Sequence, residues 1–156
     1  NPRLVSALLL RGRIHLDEGN LDEAEADYDA AVKLRRESFE ANAGLAQVWM
    51  AQGFYGDAYK RWEEIQKYME TDADQAVLWY YRAICLRELN FPDLAIRDWT
   101  RLLEDLPEEN VPAELRQAAQ EMLEAIYTPT PTPIQPTPTA TRTPRVSPTP
   151  TRTPRP

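Results

Sequence analysis

The chain carries one cysteine and one histidine in 156 residues, and that scarcity removes most side-chain catalysis. A lone thiol, Cys85, closes no intramolecular disulfide and supplies no two-cysteine metal motif. A Ser/His or Cys/His nucleophile pair would need His15, and no partner lies near it in the helical register described below. Glycine is sparse, at five residues, and none forms a phosphate-cradling loop. No run of 18 or more apolar residues occurs, so no membrane-spanning helix is expected. No signal-peptide pattern opens the chain. It starts at Asn1 rather than Met, as expected of a processed, truncated or fragmentary chain, which leaves room for a lost leader or anchor.

Positive charge is scarce and unevenly placed. All 25 acids precede Thr128; against 14 Lys and Arg they leave residues 1–127 at net −11, while Arg142, Arg145, Arg152 and Arg155 make the remainder +4. An acidic body argues against nucleic acid, whose phosphates need a basic face, and against an anionic membrane surface. The string Asp22, Glu23, Glu25, Asp27 and Asp29 spreads around a helix, so it reads as a solvated face whose first members suit a helix N-terminus. Glu63 and Glu64, like Glu108 and Glu109, are sequence neighbours that do not converge. Metal sites want clustered His, Cys or carboxylates, which the sequence does not offer. No catalytic, cofactor-binding or metal residue is assigned, and the expectation is a non-enzyme whose only attached groups are covalent glycans.

What the sequence does have is a repeat. Gly19, Ala24 and Tyr28 recur 34 residues on as Gly53, Ala58 and Trp62, and again as Asn90, Ala95 and Trp99 after a shift of 37. The longer shift places extra residues in a loop around 70–74. Each copy reads as two amphipathic helices, over 3–18 and 21–36, 39–52 and 55–69, and 74–89 and 92–105, with apolar residues at helical spacing. Gly19 and Gly53 suit left-handed helix ends, Pro92 suits a first turn, and Pro107 ends the last repeat helix. Residues 112–127, opened by Pro112, predict a seventh helix with Leu115, Ala119, Met122, Leu123 and Ile126 on one face. It should cap the third repeat, and no equivalent cap is expected at the other end. Cys85, between Ile84 and Leu86, is expected to be a small buried hydrophobe, and His15 a packing residue.

This pattern resembles the tetratricopeptide repeat. Small residues of the first helix match Gly12, Ala46 and Ala83, those early in the second match Ala24, Ala58 and Ala95, and the aromatic four residues later matches Tyr28, Trp62 and Trp99. Trp79 matches the tryptophan that opens the family motif, where the earlier copies have Leu8 and Asn42. The second helix's late small residue survives only as Ala31, replaced by Ile65 and Leu102, and the closing proline only as Pro107. The resemblance covers roughly residues 3–107 and implies an all-α fold: an α-solenoid of three helix pairs (about 3–36, 39–69 and 74–107) with a capping helix (112–127). It also implies a concave face that takes an extended peptide. By register that face includes Leu9, Arg13, Leu16, Ala43, Gln47, Met50, Tyr80, Ile84 and Arg87. The family's Lys/Asn clamp for a terminal carboxylate is poorly matched by Leu9, Arg13, Ala43, Gln47, Tyr80 and Ile84, so chaperone C-termini are not the expected ligand.

From Thr128 the composition switches: the last 29 residues hold 10 Pro and 10 Thr, without acid, glycine or aromatic. Alternating Thr-Pro excludes helix and central strand and favours an extended polyproline-II tail about 90 Å long at full extension. The tail reads either as a stiff linker or as an O-glycosylated segment with candidate acceptors Thr128, Thr130, Thr132, Thr137, Thr139, Thr141, Thr143, Thr149, Thr151 and Thr153. It looks like the stalks of bacterial secreted and surface proteins, which implies an extracellular or cell-surface place, the cytoplasm staying open. Two functions follow. The first is a structural protein whose basic tail meets the acidic body of the next copy in a fibril-like assembly. The alternative is a monomeric adaptor that binds an extended peptide of another protein, with the tail as linker.

Overall fold

The computed structural model describes residues 2–127. The polyproline-II expectation, the ten candidate glycosylation threonines and the tail-to-body contact lie outside the described residues. Within them, α1 (Pro2–Asp17) pairs with α2 (Leu21–Leu34), α3 (Phe39–Ala51) with α4 (Tyr55–Ile65) and α5 (Asp72–Glu88) with α6 (Pro92–Glu104); α7 (Ala113–Tyr127) follows. Each helix packs on the next, and α1 on α3, α3 on α5 and α5 on α7 also touch. The pairs therefore stack as a solenoid with their first helices along one side, the all-α architecture expected from the repeat.

The turn inside each pair is built the same way three times. Gly19 and Gly53 take φ of 77° and 86°, and Asn90 takes 67°; asparagine is among the few side chains that tolerate this region. Just past each, the N–H of Asn20, Phe54 and Phe91 donates to the carbonyl of His15, Trp49 and Leu86, each at 2.8 Å. This bond pattern closes a helix that ends on a left-handed residue. The links between pairs differ. Ser38 caps α3 through the Ala41 N–H. Thr71 and Asp74 exchange side-chain bonds with each other's backbone N–H groups at 3.1 Å, so α5 starts at Asp72, two residues earlier than the periodicity predicts. Helix α4 stops at Ile65 and residues 66–68 tighten into a 3-10 turn, short of the expected end at 69.

Ala24, Ala58 and Ala95 are fully buried, and Tyr28, Trp62 and Trp99 fill the space beside them. The Tyr28 ring lies against Gly12 of α1 and Gly44 of α3, where a methyl group on Gly44 would overlap it. At the next junction the residue matching Gly44 is Tyr81, whose ring stacks on Trp62 at 5.6 Å with the planes 5° apart. One aromatic rests on bare backbone and the next on a second ring. Ala119 of α7 is buried on the third pair, with Met122 and Leu123 packed beside it; Ile126 is exposed in the last turn. At the other end Leu4, Leu10 and Ile14 of α1 are exposed. Cys85 is buried, and that burial pushes its thiol up to about 12.

Candidate functional site

The first helices line a groove of about 470 Å³. Leu9, Leu10 and Arg13 enter it from α1, Phe39, Ala43 and Gln47 from α3, and Asp74 and Val77 from the start of α5, with Tyr28 reaching through from α2. Leu9, Phe39 and Ala43 are buried and make an apolar floor. Arg13, whose side chain is 72% exposed, Gln47, Glu40 and Asp74 place donors and acceptors around it. Burial pushes the Tyr28 hydroxyl up to about 12, a rise that nearby Arg13 opposes, so this phenol stays neutral near pH 7. An apolar floor with polar groups of both signs can hold an extended chain.

Of the residues expected on this face, Leu9, Arg13, Ala43 and Gln47 line the groove together. Leu16 packs against the first core cluster, and Met50 belongs to the second. Tyr80 and Ile84 pack on that same core, and Arg87 donates to the Met122 sulfur of α7 at 3.0 Å. The cap sits against α5 and takes the place a fourth pair would occupy, so the groove ends in the first turns of α5. Phe39, Tyr28, Gly44 and Val77 were not on the expected face. Phe39 is one helical turn before Ala43 and was legible from spacing; Tyr28 was not, because it comes from a second helix.

The acidic string on α2 is not wholly a solvated face, contrary to expectation. Asp27 is 5% exposed and accepts from Arg11 Nε at 2.7 Å. That hydrogen bond holds its carboxyl below the usual range against the opposing effect of burial. Glu25 accepts from the Trp49 indole at 3.1 Å and from Gln52 at 3.0 Å, tying α2 to α3. The Arg11–Asp27 arrangement recurs in the third pair, where Arg82 Nε donates to fully buried Asp98 at 2.7 Å. Arg82 also reaches Glu63 of α4 at 2.7 Å. Burial alone would lower the Arg82 pKa, but the bonds to Asp98 and Glu63 outweigh it and hold it above its ordinary value. Among the described residues no cluster of His, Cys, Asp and Glu fits a metal ion, and no helix is long and apolar enough to cross a membrane.

The middle pair breaks this pattern. Leu45 stands where Arg11 and Arg82 stand, and Arg61 where Asp27 and Asp98 stand. Lacking the acid, the Arg61 guanidinium lies over the Trp49 ring at 5.1 Å and 3.4 Å from Glu64.

The family model described as PerC transcriptional activator matches residues 42–126, more than half of the chain, from within α3 to the last turn of α7. No curated protein matches. Among solved structures, the chain is similar to the Yersinia enterocolitica type III secretion translocator chaperone SycD in an alternative dimer, at 22% identity over 78% of this chain and 90% of that one, with a TM-score of 0.66. It is also similar to the first TPR of Spaghetti (RPAP3) bound to the HSP90 peptide SRMEEVD, at 15% identity, 82% and 97% coverage and a TM-score of 0.63. The first TPR domain of human RPAP3 gives 16% identity, 81% and 94% coverage and 0.63. At such identities these likenesses establish the tetratricopeptide-like fold.

Proposed function

The chain belongs to the PerC transcriptional activator family, and we propose that it acts there as a non-enzymatic protein-interaction scaffold that takes an extended segment of another protein along its concave groove. The observation that carries this reading is the groove itself, lined by α1, α3 and the first turns of α5. Apolar pockets flanked by scattered polar groups suit an extended segment. Similar structures support it: one is a secretion chaperone and another holds an HSP90 peptide. This is the adaptor reading. Tail-driven assembly, glycosylation and an extracellular place depend on residues 128–156, and the similar structures do not favour them.

The family's description speaks of transcription. With a body at net −11, a role of that kind runs through contact with another protein rather than through DNA phosphates, which demand a basic face. The test is to select extended peptides against the full chain from a random library and measure their affinity by fluorescence anisotropy. Selected peptides should bind the parent chain and lose at least about tenfold in affinity to a variant combining Arg13→Ala and Gln47→Ala, since truncating buried contacts costs a kcal/mol or more. Equal binding by the variant, or tighter binding of duplex DNA than of any peptide, would contradict the reading.

A further inference from the structure

A second cleft lies on the side built by the second helices. A cleft of about 420 Å³ opens where the C-terminal ends of α2 and α4 meet the start of α3. Its rim carries Lys33, Arg36, Arg61 and Lys67 against one acid, Glu64. That is four of the body's 14 cations gathered in one place on a surface whose net charge is −11. Lys33 pairs with Asp29 and Arg61 with Glu64, while neither Arg36 nor Lys67 has a salt bridge among the described residues. The floor is apolar, from Val32, Ile65 and Tyr68.

Arg61 is what makes this cleft unlike a chance cluster. In the first and third pairs the same position is an aspartate bound to an arginine from the facing helix. In the middle pair the sign is reversed and the facing residue is Leu45, so α3 supplies no carboxylate to it; the acids near Arg61 are Glu64 and, across an adjoining cleft, Asp22, Glu25 and Asp29 of α2. Arg61 Nε is buried without a hydrogen-bond partner, and the rest of its side chain, 27% exposed, lines the cleft. Stacking on Trp49 fixes the guanidinium plane with Glu64 3.4 Å from one terminal nitrogen, so an incoming carboxylate meets a pre-oriented guanidinium and competes only with that one longer contact.

We propose that this cleft binds an acidic segment of a partner protein: a carboxylate on Arg61, flanked by an aliphatic side chain on the Val32–Ile65–Tyr68 floor. The occupant is a short peptide rather than a nucleic acid. A long polyanion would meet the field of the whole acidic body, whereas one or two carboxylates need only the local potential. The site is separate from the concave groove, lies within the family match except for Val32, Lys33 and Arg36, and stands or falls independently of what the groove binds.

The test uses the full chain, ¹⁵N-labelled, with a blocked hexapeptide rich in glutamate and leucine and a control in which glutamine replaces every glutamate. Backbone amide peaks of Arg36, Ile65 and Tyr68 should shift saturably with the first peptide and at least about tenfold more weakly with the second, the discrimination expected of a charge-paired contact. Arg61→Gln should reduce affinity by a similar factor. Exposed Arg36→Gln gives a second reading that leaves the fold intact, and should weaken binding by a smaller amount. Equal binding of both peptides, no change in either variant, or shifts at these amides caused more strongly by a 12-base-pair DNA duplex than by the glutamate peptide would overturn the proposal.

Discussion

The outer two helix pairs hold themselves together with a charge; the middle pair does not. Arg11 with Asp27, and Arg82 with Asp98, join the first helix of a pair to its second through the same bond at the same spacing. In the middle pair Leu45 packs in the core and Arg61 turns outward onto Trp49. The neighbouring position follows suit: His15 stands 4.0 Å from Asp27, Trp49 stacks with Arg61, and Leu86 replaces them in the third pair. The difference teaches that one backbone plan accepts either an internal ion pair or an apolar contact at this place. Where the ion pair is absent, the remaining guanidinium rests on a neighbouring ring and stays partly exposed.

The largest expected effect breaks the third pair. Arg82→Met leaves fully buried Asp98 with only Arg97, 3.8 Å from its other oxygen, and should cost about 3–5 kcal/mol, as losing one partner of a buried pair does. Urea melts of Arg82→Met, and of the same change combined with Asp98→Leu, would sharpen the contrast. The double variant, which replaces both charges with apolar side chains, should recover most of the loss. Next comes the junction between first and middle pairs. Gly44→Ala should destabilise by about 1–3 kcal/mol through overpacking against Tyr28, despite the better helix propensity of alanine.

The first pair should show its charge through pH. Asp27's carboxyl is held below its ordinary value by the Arg11 hydrogen bond, so the pair stabilises the fold above about pH 3.9 and that contribution is lost as pH falls through the lower folded value. Asp27→Asn should therefore be less stable than the parent near pH 7, with the gap closing in strong acid; thermal melts across that range measure it. Arg61→Gln should change stability least, below about 1 kcal/mol, because it removes one partly exposed cation–π contact. A loss as large as that of Arg82→Met would erase the comparison.

The fold was legible because the residues that specify it act locally. Gly19, Gly53 and Asn90 end helices within their own turn, and the alanine–aromatic spacing of Ala24 with Tyr28, Ala58 with Trp62 and Ala95 with Trp99 repeats on one helix face. The site was legible only in part. Leu9, Arg13, Ala43 and Gln47 follow from register, but the loss of Tyr80, Ile84 and Arg87 from the groove depends on where α7 docks, which no spacing within α5 encodes. Asp27 hid within an acidic string because its partner lies on the other helix of the pair. Four neighbouring acids gave no sign that this one faces inward. Aligning the three copies by charge as well as by size exposes both the pair and its reversal at Arg61.

The most direct test of the central claim is an amide shift map of the full chain titrated with a library-selected extended peptide. The account predicts shifts concentrated at Arg13, Phe39, Gln47 and Val77, with the outer faces of α2 and α4 unchanged. Shifts confined to the outer faces or to the exposed stripe of α1, with the groove silent, would contradict it.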